Sequence, residues 1–214
     1  MRLLIIGAGG GIGCQCVEQA LAAGHSVTAV LRNPAKLSFN HPNLLIVKGD
    51  VTQAFSFADH YAEKDAVISA IGVSGGLFGD RPTTLYSEGA KNIIREMQQS
   101  SGCRVFFISA SAVENSPLLP FFVRLAAKYI IQKLLKNMYA DLLRMEGIVK
   151  KSALNWTIVR PPQLTDKPLT GKYRMAVNQF LKNGLKISRA DAADFMLRHV
   201  QDKALYQSTV EIAY

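Results

Sequence analysis

Cysteine is scarce, with three in 214 residues, and there is a single tryptophan. Three thiols cannot build the disulfide framework of a small secreted domain. Cys14, Cys16 and Cys103 sit in apolar stretches, which suits small buried thiols in a reducing compartment, and the expected location is cytoplasmic. Long apolar runs are also missing, and nothing approaches the roughly 18 residues that a membrane-spanning helix needs. Arg2, the Leu3-Leu4-Ile5-Ile6 run and the Ala20-Leu21-Ala22 triplet imitate a signal peptide, but five glycines between positions 7 and 13 and the charge of Glu18 break that pattern. Acidic residues are few as well: 16 Asp+Glu against 25 Lys+Arg leave a net charge of +9. That excess raises a polyanion or membrane-surface partner until the charges are located. With no Pro/Gly/Ser-rich linker, repeat or low-complexity segment, one domain is expected over 1–214. Hydrophobic residues make up 49% of the chain, enough for a core and too many for a disordered protein.

Leu3 to Ile6 is a short apolar run ending in glycines, as expected of a parallel strand buried on both faces. Helix is predicted over Ile12 to Ala23, closed by Gly24, then strands over Ser26 to Leu31, Leu44 to Val47 and Ala66 to Ile71, with a weak helix near Phe55 to Tyr61. Thr83 to Gln99 carries helical spacing, and Arg104 to Ile108 reads as a fifth strand. Leu118 to Lys151 is helix-rich. A strand is expected over Asn155 to Val159, a helix over Arg189 to Val200 capped by Ser188, and a last strand over Thr209 to Ala213. The alternation specifies an α/β fold, a Rossmann-type doubly wound parallel sheet, with residues 113–214 contributing the substrate-facing loops and helices.

Gly7-Ala8-Gly9-Gly10-Gly11-Ile12-Gly13 lies between the first strand and the first helix. Gly7 permits a tight turn, Gly10 lets the backbone approach a pyrophosphate, and Gly13 allows helix and strand to pack closely; the helix N-terminus offers free N–H groups to the phosphates. The spacing is G-x-x-G-x-x-G, since position 12 is Ile. Sites selective for NAD place a carboxylate at the end of the second strand, on the ribose 2′-OH, whereas a basic residue there accommodates a 2′-phosphate. Here the segment reads Leu31-Arg32-Asn33-Pro34-Ala35-Lys36. No carboxylate is available, so NADP(H) is preferred over NAD(H), with Arg32 as the main phosphate contact and Lys36 as a second.

Arg32-Asn33-Pro34, Gly49-Asp50-Val51, Ser69-Ala70-Ile71-Gly72, Ser87-Glu88-Gly89-Ala90-Lys91-Asn92 and Trp156-Thr157-Ile158-Val159-Arg160-Pro161-Pro162 resemble the atypical short-chain dehydrogenase/reductases. The likeness is greatest to NAD(P)H flavin reductases of the biliverdin reductase B type and to NmrA-like NAD(P)-binding proteins, and it extends through Pro168 to Tyr173 and Phe195 to Arg198. The resemblance implies that Asp50 and Val51 flank the adenine, that Ala70, Ile71 and Gly72 line the ribose, and that Ser109, Ala110 and Ser111 stand beside the nicotinamide. In those reductases a serine matching Ser111 faces the reacting ring. Pro161, Pro162 and the following Gln163 and Leu164 would close over the nicotinamide amide. The chain departs from the pattern at Glu146, where the flavin reductases carry a histidine nearby, and between Val113 and Asp141, which is longer here.

Tyr129 and Lys133 match the Y-x-x-x-K pair of typical short-chain dehydrogenases, in which the lysine lowers the tyrosine pKa for proton transfer. Ser111 precedes Tyr129 by 18 residues, more than usual, and the relatives this chain resembles do without the pair. Flanking an apolar face, the two also fit a partly buried tyrosine beside a solvated lysine. Flavin reduction needs no such acid, because the protein mainly stacks two rings and excludes water. The scattered histidines and Cys14-Gln15-Cys16 offer no metal-ligand spacing.

Seven Lys/Arg against Asp141 and Glu146 between positions 115 and 151 account for +5 of the charge. Arg124, Lys128 and Lys136 share one helical stripe, open to three readings: a solvated face, attraction of NADPH and flavin phosphates, or transient contact of the basic 117–136 segment with a membrane or protein. Nucleic acid is disfavoured for want of a recognition motif. Two classes of function follow. One is an NADPH-dependent oxidoreductase acting on a small-molecule acceptor such as a quinone, or on FMN or FAD as substrate; the other is a non-enzymatic NADP(H)-binding sensor acting through a protein partner.

Overall fold

The computed structural model describes residues 1–38, 40–73, 82–99, 104–114 and 135–214. Strand β1 (Arg2–Ile6) runs into helix α1 (Gly11–Ala22), followed by β2 (Ser26–Leu31), β3 (Leu44–Lys48) and β4 (Ala66–Ser69). Helix α2 (Leu85–Gln99), β5 (Arg104–Ile108), helix α3 (Lys136–Lys150) and β6 (Asn155–Arg160) come next. The chain closes with β7 (Gln163–Thr165), β8 (Arg174–Val177), β9 (Lys186–Ser188), helix α4 (Arg189–Arg198) and β10 (Ser208–Ala213).

Eight strands form one sheet in the order β3-β2-β1-β4-β5-β6-β10-β8, parallel except at the edge pair of β10 with β8. Strands from both ends of the chain meet in it, which makes it a single unit. Leu3 and Ile5 face α1 and α4, while Leu4 and Ile6 face α2 and α3, so β1 is buried on both sides as its apolar run requires. The direction of winding reverses between β1 and β4. Open α/β sheets carry their ligand crevice at such a point, beyond the C-terminal strand ends.

Several predicted boundaries move for local reasons. Strand β4 stops at Ser69 instead of Ile71, where Ala70 gives its N–H to Ile6 O at 2.9 Å and the chain turns outward. The helix expected over Phe55 to Tyr61 shrinks to a single 3₁₀ turn at Ala58–His60, preceded by Phe55 at φ +60°. Helix α2 begins at Leu85 because the Thr83 hydroxyl accepts the Leu85 N–H ahead of the first turn. Helix α4 starts where expected, with Ser188 accepting from Asp191 N–H, and ends at Arg198. The first part of the helix-rich stretch over 118–151 lies outside the described residues, as do Cys103, Tyr129, Lys133, Arg124 and Lys128. No described helix is long and apolar enough to cross a membrane.

Candidate functional site

The chain leaves β1 through Gly7 at φ +83°, a conformation that disfavours any Cβ. A Cβ on Gly7 would stand 2.6 Å from Ala70 O, and one on Gly13 would stand 2.2 Å from Gly7 O. Both clashes are with backbone, so the loop can be this tight only with glycine at the two positions. The Gly10 N–H closes the turn onto Gly7 O at 2.9 Å, and the first bond of α1 runs from Cys14 N–H to Gly10 O at 2.8 Å. The amides of Gly11, Ile12 and Gly13 therefore precede the helical ladder, and Gly10 supplies no side-chain cap. The positive end of the helix dipole is left open to an anion.

A cleft of about 870 Å³ opens beside this loop across the C-terminal ends of β1, β2, β4 and β5. Its floor is Gly7 and Gly9 to Ile12. Arg32, Asn33 and Lys36 form one end, Asp50 and Val51 the adjacent wall, and Ala70, Ile71 and Gly72 the middle. Ile108, Ser109 and Ala110 stand opposite, with Leu85, Tyr86, Met138 and Leu142 as an apolar side. Most of the residues singled out from the sequence are thus brought to one surface. Gly13 packs beneath the loop instead of lining it. Ser111 opens a 3₁₀ turn after β5, tied by its N–H to Pro161 O at 3.0 Å, and like Pro161, Pro162 and Gln163 it lies off the cleft lining, to which that segment contributes Leu164.

At the basic end, neither Arg32 nor Lys36 takes part in an ion pair among the described residues, and both are exposed. The Asn33 side chain accepts Ala35 N–H at 3.2 Å and so starts the Pro34–Lys36 turn that carries Lys36 to the cleft. Asp50 accepts from Thr52 N–H at 3.0 Å and the Thr52 hydroxyl at 2.8 Å. These bonds, helped by the Arg32 charge, outweigh burial and hold its carboxyl below the usual range. It is an ionised, fixed acceptor.

Behind the opposite wall is a buried ionic cluster. The Ser109 hydroxyl donates to Glu146 Oε1 at 2.7 Å, and Arg160 grips the same carboxylate through Nε at 2.8 Å and Nη2 at 2.6 Å. Arg160 also reaches both oxygens of Glu114 at 3.0 Å, and Lys150 reaches Glu146 Oε2 at 3.1 Å. Burial alone would raise the Glu146 pKa, but the bonds and charge of Arg160, with Ser109 and Lys150, hold it below the ordinary value. Glu146 is therefore ionised and engaged. It commits the Ser109 proton, which leaves that hydroxyl only lone pairs to offer the cleft.

Several lining residues were not anticipated. Tyr86 is 5% exposed, with its N–H on Asp141 Oδ2 at 2.9 Å and its hydroxyl accepting Val73 N–H at 3.3 Å. Leu85, Met138, Leu142 and Arg189 reach the cleft through tertiary packing, and no local pattern marks them, whereas Leu164, expected over the nicotinamide amide, does line it.

Known proteins share this architecture. A chloroplastic protein of Arabidopsis thaliana, itself uncharacterized, is 31% identical over 219 residues, covering 99% of this chain and 76% of the relative. A candidate NADH-flavin reductase from Streptococcus pneumoniae superposes with a TM-score of 0.77 at 22% identity, covering 100% of this chain and 99% of that one. A short-chain dehydrogenase/reductase from Veillonella parvula gives 0.80 at 15% identity, covering 99% and 93%. At such identities the two structures establish the fold. The sequence profile described as NAD(P)H-binding matches residues 7–203, from the glycine turn through α4. A loop that only glycine can close, set at the switch point of a doubly wound sheet, is what that profile begins on, and this chain belongs to the NAD(P)H-binding family.

Proposed function

We propose that the chain is an NADPH-dependent reductase that passes reducing equivalents to a flavin or quinone-like acceptor, close in kind to the biliverdin reductase B-type flavin reductases. The observation that carries the cofactor preference is the end of β2. Arg32 and Lys36 line the cleft, in no ion pair among the described residues, at the place where NAD-selective proteins keep a carboxylate. A 2′-phosphate would meet two cations there, and Arg32 can bond it through two N–H groups at once. The cleft fits a dinucleotide in volume and in order: bare amides at the loop, a fixed carboxylate at Asp50, small residues at Ala70 and Gly72, and an apolar side toward α3.

When bound, the dihydronicotinamide supplies the hydride and the oxidised acceptor takes it up. The residues of this chain position and exclude. Ser109, its proton held by Glu146, is suited to accept from the amide N–H₂ of the nicotinamide and so to fix the ring face. Leu85, Met138 and Leu142 keep water from the stacked rings. Ser111, off the cleft lining, would orient only the outer part of the acceptor. A strong acid is not required for transfer to a flavin, in keeping with a minor role for Tyr129 and Lys133.

The test is to mix protein, NADPH and FMN and follow absorbance at 340 nm. Turnover above the protein-free rate supports the reductase. Tight NADPH binding with no oxidation across flavins and quinones would favour the NmrA-like regulator acting through a protein partner.

A further inference from the structure

We infer that Arg189, the first residue of α4, is a pyrophosphate-binding residue that leaves Asp166 when the dinucleotide enters; the inference rests on the proposed nicotinamide site. Helices α1 and α4 pack together on one face of the sheet, which brings their N-termini side by side. The Arg189 arm lies flat against the first turn of α1. A Cβ on Gly11 would fall 2.4 Å from Arg189 Cδ and 2.7 Å from its Nε, so Gly11 makes room for the arginine. Arg189 lines the same cleft as Gly9, Gly10 and Gly11, beside the N-terminus of α1 where a pyrophosphate binds in such loops.

Two features are unexplained by folding alone. A cation at the first position of a helix opposes the helix dipole, so Arg189 does not serve α4. Its carboxylate partner is also weak. Arg189 Nη1 meets Asp166 Oδ1 at 2.6 Å, but the Asp166 side chain is 87% exposed against 32% for Arg189. Exposed pairs of this kind contribute about 1 kcal/mol or less, and a pyrophosphate offers two charges at a helix N-terminus instead of one in solvent. Among the described residues, Asp166 is the one hydrogen-bond partner the guanidinium gives up to reach it. Arg189 would then hold the phosphates from beside Gly11, while Arg32 reads the 2′-phosphate at the other end of the same cleft.

The division of labour gives the test. NADPH and NADH share the pyrophosphate and differ in the 2′-phosphate, so both are titrated into wild type, Arg189→Gln, Arg32→Gln and Asp166→Asn, each first shown to be folded by circular dichroism and thermal unfolding. Arg189→Gln is expected to weaken both nucleotides by about tenfold or more and to reduce the salt dependence of binding. Arg32→Gln is expected to weaken NADPH selectively. Asp166→Asn, by freeing the arginine, is expected to tighten both by up to about fivefold. Binding of both nucleotides to Arg189→Gln within twofold of wild type would overturn the inference, as would a loss confined to NADPH. Weaker binding by Asp166→Asn would overturn the exchange, because the ion pair would then persist in the complex. Failure of wild type to bind either nucleotide would overturn the proposed function itself, and the Arg189 inference with it.

Discussion

A methyl group is the smallest probe of the glycine loop. At Gly13 it would stand 2.2 Å from a backbone oxygen that cannot move without shifting β1, whereas at exposed Gly147, inside α3, it meets nothing within 4 Å. Gly13→Ala should therefore lower stability by about 1–3 kcal/mol in urea unfolding, as overpacking does. Gly147→Ala should raise it by about 0.5–1 kcal/mol through the unfolded chain. Equal effects at the two positions would refute the packing account. Arg32 is the second informative residue. Arg32→Asp restores the carboxylate of NAD-selective sites and should shift the NADPH/NADH ratio of kcat/KM toward NADH; an unchanged ratio would refute its assignment to the 2′-phosphate. Both sites were legible in the sequence because their chemistry is local: a turn needing positive φ and a strand end lacking an acid. Arg189 was legible only as a helix start, since its contact with Gly11 joins positions 178 residues apart.

Whole elements carry the buried cluster, and α3 and β6 are held together at the cleft by Glu146 and Arg160. The folded-state pKa of Glu146 lies below its ordinary value of 4.5, so its contribution to stability is complete above about pH 4.5 and is lost as pH falls through the depressed folded value. Glu114, lowered chiefly by its bonds to Arg160 against burial, follows the same sign. Glu146→Gln should then cost about 2 kcal/mol or more at pH 7, and the gap to wild type should narrow as the pH is lowered from 6 toward 3. A gap that stays constant over that range would show that the carboxylate charge plays no part. Sequence alone places Glu146 on a helix, but its burial follows from β6 delivering Arg160 to meet it. Strands β7 and β9, of three residues each, are likewise invisible to periodicity, which needs longer runs. The Y-x-x-x-K pair falls outside the described residues, so its predicted minor role rests on the chemistry of the acceptor.

For the molecule as a whole, the net charge of +9 first suggests a polyanion, and the fold distributes it. Arg32, Lys36 and Arg189 converge on one cleft, and the described part of the 117–136 basic segment is confined to its C-terminal end. The doubly wound sheet and the position of the cleft at its strand ends followed from the alternation of elements, because a sheet with one reversal of winding has one switch point, whereas the antiparallel edge strand β8 did not. What the alternation could not specify was which side chains from α2 and α3 would wall that point, since helix packing sets their register. On the proposed function, this wall presents one face of a nicotinamide to an acceptor. That presentation is tested most directly by single-turnover oxidation of NADPH, deuterated at one or the other hydrogen of nicotinamide C4, with enzyme in excess and FMN as acceptor. Deuterium at one of the two positions is expected to slow the reaction, and at the other to leave it unchanged. Oxidation no faster than without protein, or equal rates for both isotopomers, would contradict that presentation.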